Sequence, residues 1–349
     1  MTVRSGATGK DGDGEPLKTG KLPVKLLGRL LKKYAGSARG LVVGPSIGMD
    51  AAVLEINGTL IAAKSDPVTF VSDNSGEYAV YVNANDIAVM GGAPRWFLAS
   101  VLLPEGKATA RTAANIFRQL NSACSEVGAV LCGGHTEVTP GVSRPIVTGH
   151  MLGTFKGRKI ITSAGAKKGD ALILTKGIAI EATSVIAREL PEELSKAFSQ
   201  TFINRCARYF KDPGISVVKD AAEAMKSGPI NAMHDPTEGG LSAALHELSI
   251  ACGCSITVEK DLIEVLPESR ALCDYFGIDP LGAISSGALL ISAPLSRAGK
   301  VIEGLRAASI KSAVIGRVEG KGRSVRIIVD GKTKKLKHFE RDELTRILV

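Results

Sequence analysis

The sequence predicts a two-domain α/β protein, and three observations carry that expectation. The chain is 349 residues long and 44% hydrophobic, which is ample for two cores because single cores rarely grow beyond roughly 250 to 300 residues. Short apolar runs of strand character alternate with segments whose apolar residues recur at helical spacing. A Lys- and Gly-rich stretch at 156–169 interrupts this alternation and reads as the domain boundary.

In chain order, residues 1–20 are polar, Gly-rich and without periodicity, and read as a flexible arm. The first domain then spans 21–156. Residues 22–34 place Leu26, Leu27, Leu30 and Leu31 on one face of a short amphipathic helix. Residues 51–56 and 59–64 flank Asn57-Gly58, the strongest short signal for a two-residue hairpin turn. With that turn Ile56 faces Thr59, and a ladder continued to its open end sets Met49 opposite Asp66 and Asp50 opposite Ser65. Asp50 and Asp66 then point to opposite faces unless the strand mouth bends. Residues 76–90 read as a helix closed by Gly91-Gly92-Ala93-Pro94, 95–103 as a strand, and Ala113, Ile116, Phe117, Leu120, Cys124 and Val127 mark the next helix. A short strand at 129–132 runs into GGHTEVTPGVSRP, and 146–155 is a further strand.

The second domain, 157–320, opens with a strand at 171–175, a helix at 181–190 and another at 216–225. In MHDPTEGGLSAALHELS, Asp235 as N-cap, Pro236 at the first helical position and Glu238 three residues after the cap compose a good helix start. Gly239-Gly240 is harder to explain, since each glycine costs roughly 1 kcal/mol against alanine in a first turn; close approach to something would justify the pair. Residues 321–349 hold nine Lys or Arg against four Asp or Glu and read as a basic tail.

Two carboxylates are oddly placed. Asp86 falls on the apolar stripe of its helix, between Val82 and Met90. It is either a structural Asp held by a cation or a backbone N–H, or a ligand for a metal or phosphate. Asp66 ends a strand and precedes Pro67, at a strand mouth where a ligand can reach it. Gly133-Gly134 reads either as an ordinary turn or as a place for close ligand approach, with His135 and Glu137 offering a donor-acceptor and a carboxylate.

Composition excludes several classes. No apolar run spans a bilayer and the N-terminus lacks the apolar region of a secretory signal, so a cytoplasmic protein is expected. Six cysteines are spread thinly, without zinc spacing, and read as reduced thiols. The net charge of +9 is concentrated in the last 29 residues and aromatic content is 4%, so nucleic acid is not the expected partner. There is no GxxxxGK[ST] loop, no GxGxxG between a strand and a helix, and no HExxH.

The ordered blocks GMDAAVLEI (48–56), KSDPVTF (64–70), NDIAVMGGAP (85–94), GGHTE (133–137), GDALILTKGIAIEAT (169–183), HDPTEGGL (234–241) and GIDPLGAISSGALLIS (277–292) resemble the aminoimidazole ribonucleotide synthetase (PurM-like) superfamily. Within it the pattern is most similar to the hydrogenase maturation factor HypE and archaeal HypE-like proteins, and the PRW continuation to thiamine monophosphate kinase. The resemblance covers roughly 40–320 and implies an α/β (α+β) two-domain PurM-like fold, with an N-terminal sheet that pairs across a homodimer. It implies binding of ATP and Mg2+ at a carboxylate cluster: Asp50, Asp66, Asp86 and Asp235 as metal ligands, with Asp50, Asp66, Lys64, Asn85, Gly133, Gly134 and Glu137 around the nucleotide. Asp86, Asp235 and His135 are then the catalytic candidates. The implied reaction is ATP-dependent phosphorylation, with dehydration, of an amide-like acceptor, small or protein-borne; a small-molecule kinase or a low-turnover nucleotide-binding maturation protein are the alternatives. Two departures stand out: Met49 replaces an Asp usual in the superfamily, and His135 stands where relatives often carry Asp or Asn after the double Gly. The chain also shows no terminal cysteine of the kind that carries the HypE carbamoyl group, so a separate acceptor or a partner's side chain is expected.

Overall fold

The computed structural model of the protein describes Leu17, residues 20–69, Val71, and residues 73–339 and 341–348. Most of the expected flexible arm, 1–16, 18 and 19, therefore lies outside the described residues. The N-terminal half contains α1 (Val24–Tyr34), β1 (Leu41–Val43), β2 (Ala52–Ile56), β3 (Thr59–Val68), α2 (Ser75–Val89), β4 (Gly92–Pro104), α3 (Ala110–Glu126), β5 (Val130–Thr139) and β6 (Ile146–Phe155). Among the described residues its strands form one sheet in the order β1-β2-β3-β6-β4-β5, antiparallel except for the β4/β5 pair.

The Asn57-Gly58 turn forms as its residues dictate, with φ of 49° and 80°, both in the left-handed region that a tight hairpin turn needs. The register agrees too: Ile56 pairs with Thr59 and Ala52 with Ala63. Strand β3 does not stop at Lys64, however. It continues beyond the end of β2, pairing Asp66 with Gly149 and Pro67 with Thr148 of β6. Pro67 is tolerated because, among the described residues, no strand lies on its other side to need an N–H.

Helix α2 is buried on nearly every side. Two glycines of β6 allow this: a Cβ on Gly149 would stand 2.4 Å from Asn83 Nδ2, and one on Gly153 would stand 2.3 Å from Ile87 Cγ2. A helix that is buried all round carries any polar side chain into the interior, which is how Asn83, Asn85 and Asp86 come to be buried.

The C-terminal half contains β7 (Asp170–Thr175), α4 (Ile180–Glu189), α5 (Pro191–Leu194), α6 (Gln200–Arg208), α7 (Val218–Ser227), β8 (Ala232–His234), α8 (Gly240–Cys252) and β9 (Cys254–Glu259). It continues through α9 (Pro267–Phe276), β10 (Leu290–Pro294), α10 (Leu295–Ala307), β11 (Ser312–Lys321), β12 (Val325–Val329), β13 (Lys332–Lys335) and α11 (Thr345–Leu348). The described strands form a sheet ordered β13-β12-β9-β11-β7-β10-β8. Residues 321–349, read from sequence as a basic tail, thus supply two strands of this sheet. The chain then folds back, burying Leu336, Phe339 and Leu344, with the Phe339 ring against Gly282.

The two halves are tied together. Asn85 donates from Nδ2 to the Ile215 carbonyl at 2.9 Å and accepts from the Val217 amide at 2.8 Å. Lys211 reaches Glu77 at 2.8 Å and Glu126 at 3.1 Å, and Tyr78 packs on Phe210 with ring centroids 4.5 Å apart. One apolar cluster, including Val53, Ile87, Ile180 and Leu272, runs through both halves. No helix among the described residues is long and apolar enough to cross a membrane.

Candidate active site

Asp86 stands where α2 approaches the free extension of β3. Lys64 projects from that strand and its Nζ lies 3.0 Å from Asp86 Oδ2 and 3.1 Å from Asp66 Oδ2. Burial pushes the Asp86 carboxyl well above its ordinary range, Lys64 opposes the shift, and Asp235, Asp66 and Asp50 add to it. Four carboxylates therefore share one electrostatic field around Asp86. Burial disfavours the Lys64 ammonium, but Asp86 and Asp66 outweigh it and keep the group charged. The Asp66 side chain is 40% exposed, so the cluster opens to solvent on that side.

The other flank comes from the C-terminal half. His234 ends β8 between two carboxylates, with Nδ1 3.0 Å from Asp50 Oδ1 and Nε2 2.8 Å from Glu247 Oε2. Burial alone would depress the imidazole; Asp50 and Glu247 overcome it and hold the ring well above its usual pKa. Glu247 is pulled the other way: burial is outweighed by His234 and Lys21, and its pKa falls to about 2. Asp235 follows, buried, its pKa pushed up to about 6 by burial and then by Asp50. Ligand atoms of Asp50, His234 and Asp235 lie within 4.8 Å of one another.

The expected N-cap role of Asp235 is not what the structure shows. Helix α8 starts only at Gly240, because Gly239 and Gly240 have φ of 80° and 62° and end the preceding turn in the left-handed region. Close approach does explain the second glycine: a Cβ on Gly240 would stand 2.6 Å from the carbonyls of Leu281 and Ala283. Asp235 is thereby released from capping and faces the cluster.

Other candidates lie elsewhere. Asn85 is fully buried and both ends of its amide are spent on the Ile215–Val217 backbone. Gly133, Gly134, His135 and Glu137 belong to the edge strand β5, not to a turn. The pairing Asp66–Gly149, Gly149–Ala99 and Ala99–Gly134 puts them three strands from Asp66, about 14 Å at ordinary strand spacing. Gly134 is required by its neighbour, since a Cβ there would stand 1.9 Å from the Ala99 carbonyl oxygen. His135 and Glu137 are exposed and pair with each other at 3.1 Å.

Three site residues were missed by sequence reasoning. Asn83 accepts from the Asp66 amide at 2.9 Å and donates to the Asp66 carbonyl at 3.2 Å, replacing the absent neighbour strand and fixing the Asp66 backbone. His234 and Glu247 are the others. A polar residue three positions before Asp86 on the same helix was the available signal for Asn83; for Glu247, 13 residues beyond His234, the sequence offered none.

The donor set fits a hard divalent cation. Asp50 Oδ2 is buried without a hydrogen-bond partner, Lys64 already marks a place where cationic charge is held between carboxylates, and the free donors are oxygens because both His234 nitrogens face carboxylates.

The family model "AIR synthase related protein, N-terminal domain" matches residues 48–155, and "AIR synthase related protein, C-terminal domain" matches 167–329. The selenide, water dikinase of Methanocaldococcus jannaschii is 28% identical over 81% of this chain and 83% of its own length. The carbamoyl dehydratase HypE of Escherichia coli K12 is 26% identical over 78% of this chain and 81% of its own. Among solved structures, a chain of a HypE–HypF complex superposes with a TM-score of 0.75 at 20% identity, covering 90% of this chain and 99% of that one. HypE in complex with ATP gives 0.70 at 20% identity, covering 89% and 90%. With both domain models matched in order and the PurM-like two-domain fold in place, the chain belongs to the AIR synthase related protein family.

Proposed function

We propose that this protein is an ATP- and Mg2+-dependent enzyme of the HypE-like kind, which phosphorylates an amide-like acceptor and promotes its dehydration. The observation that carries the reading is the gathering of Asp50, Lys64, Asp66, Asp86 and Asp235 from both halves of the chain in one field. Relatives described as a carbamoyl dehydratase and as a dikinase support it.

In this reading Asp50, Asp66, Asp86 and Asp235 hold the metal and Lys64 contacts the phosphates. The metal would neutralise charge on the transferred phosphoryl group. Asn83 and the Lys64 ion pairs keep the carboxylates in place before the nucleotide arrives, so little reorganisation is needed. Lys21 donates from Nζ to Thr237 Oγ1 at 3.0 Å, and its amide donates to Glu238 at 3.3 Å. Lys21 therefore stands at the cluster's edge, beside the turn that carries Asp235. A cytoplasmic homodimer, with a maturation partner protein presenting the acceptor, completes the proposal; a HypE relative has been seen with HypF.

Calorimetric titration with ATP tests it. Binding is expected with Mg2+ and to fall at least tenfold without it. Asp66→Asn and Asp86→Asn should each lose at least tenfold in affinity; unchanged affinity in folded variants would return both residues to a structural role.

A further inference from the structure

The C-terminal segment reaches back towards the site. After β13 the chain crosses the start of α8: Ser242 Oγ donates to the Lys337 carbonyl, the Phe339 ring packs on Gly282, and the Glu343 amide donates to the Gly282 carbonyl at 3.1 Å. Asp342 stands in this crossing, only 6% exposed. Its Oδ2 accepts from the Gly239 amide at 2.8 Å, its Oδ1 accepts from the Leu344 amide at 2.9 Å, and the Ile284 amide bonds to the same carboxylate. One side chain thus collects backbone donors from three segments: the 235–240 turn, the 279–284 loop and its own.

Helix α8 needs such a partner. The first amides of a helix have no acceptor within it. Gly239, which precedes α8, has no side chain to cap with, and the first turn of α8 holds no acidic residue. A carboxylate at that end satisfies an amide and suits the positive end of the helix dipole. Its charge also makes each of these hydrogen bonds stronger than one between neutral groups. Burial pushes the Asp342 carboxyl up to about 6, while the Leu344, Gly239 and Ile284 amides pull against it. Above that pH it is ionised and accepts from all three.

The turn that Asp342 holds is the one that carries Asp235. One end of it is fixed where His234 pairs with Leu290 of β10, and the other is Gly239, on Asp342. Between these ends the Gly240 amide closes on the Thr237 carbonyl at 2.9 Å. The charges that act most on Asp235 are Asp50, His234 and Lys64, and Asp342 is not one of them. We propose that Asp342 is a positioning residue for the Asp235 carboxylate: it caps α8 from the C-terminal segment and so fixes the turn on which Asp235 stands. Affinity for metal and nucleotide then depends, through the backbone, on a side chain outside the cluster. The assignment rests on the ATP-dependent reading of that cluster.

Asp342→Asn, in the full chain at pH 8, tests this. The variant keeps the volume, but a carboxamide has one acceptor oxygen and turns an N–H towards the remaining amide donors. Hydrogen exchange read by mass spectrometry should show peptides across 237–241 exchanging at least tenfold faster than in the wild type, with those across β7 unchanged. Calorimetry with Mg2+ and a non-hydrolysable ATP analogue should show affinity falling at least about fivefold at unchanged stoichiometry. A merely structural role would lower the melting temperature and the bound fraction and leave the dissociation constant in place. The wild type supplies a second measurement that needs no variant. Because coupling is reciprocal, the bound analogue should slow exchange across 341–346 by at least about fivefold. Unchanged affinity in folded Asp342→Asn, a loss of affinity with no faster exchange at 237–241, or equal exchange at 341–346 with and without the analogue would each overturn the proposal. Failure of the wild type to bind the analogue would instead defeat the ATP reading beneath it.

Discussion

Glu181 and Asp86 are both buried acids, and burial raises the pKa of each. Asp86 has Lys64 at 3.0 Å, which opposes the shift. Among the described residues Glu181 has no such cation, and its pKa rises to about 7. A carboxyl whose folded pKa lies above its unfolded value of about 4.5 binds its proton more tightly when folded, so its stabilising contribution is complete below pH 4.5 and is lost as pH rises through 7. The loss by pH 8 is about 3 kcal/mol, or about 4 °C in melting temperature for a chain of this size. Glu181→Gln removes the titration while keeping the volume. Its melting temperature should therefore gain on the wild type as pH increases from 5 to 8, by a few degrees, in thermal unfolding followed across that range. A difference that stays constant with pH would show that Glu181 does not titrate there. Comparing two chains at each pH cancels the other groups, among them Glu247, whose depressed pKa costs stability only as pH falls from 4.5 towards 2.

At the level of elements, what was legible in the sequence was what local chemistry decides. Asn57-Gly58 specified its hairpin and register because the turn needs two left-handed residues. The alternation of strands and helices was likewise readable. The start of α8 was not, because Asp-Pro-x-Glu is a sound local cap signal that a non-local contact overrides: the 281–283 backbone crosses so close to Gly240 that the turn must finish in the left-handed region first. The same kind of event made GGHTE a strand, since Gly134 lies against Ala99 from another element. Asp66 and Asp86 could be picked out as carboxylates in unusual positions, but His234 and Glu247 could not, because their roles arise only when β8 and α8 meet the β2/β3 hairpin. Gly240→Ala tests this account. A methyl group 2.6 Å from two carbonyl oxygens, on a residue with φ of 62°, should destabilise by about 2 to 4 kcal/mol. It should also weaken ATP binding through displacement of Asp235. Chemical denaturation and calorimetry would measure both; a loss under 1 kcal/mol would mean that the turn can relax.

For the whole molecule the unsolved surface is the free edge of the N-terminal sheet. Strand β5 is exposed along most of its ten residues, with Val130 at 63% and Val138 at 60%, and Trp96 and Phe117 are also exposed. A long edge strand with unpaired N–H and C=O groups is a template for pairing, and proteins that leave one bare usually carry charge, proline or a covering element there. From Val130 to Thr139 the charged residues are confined to Glu137, and no proline interrupts the strand. The simplest closure is a second copy of the chain, with the two β5 edges brought together about a two-fold axis and the apolar side chains covered. We therefore expect a homodimer at micromolar concentration by light scattering. Thr136→Pro, which removes a ladder donor and stiffens the edge, should shift the protein to monomer. Because Asp66 lies about 14 Å from β5 by strand spacing, the Asp66, Asp86 and Asp235 cluster should survive in that monomer and ATP affinity should change less than threefold. A wild type that scatters as a monomer would refute the closure of this edge by a second copy, and a monomeric variant that loses ATP binding would show that the partner subunit completes the site.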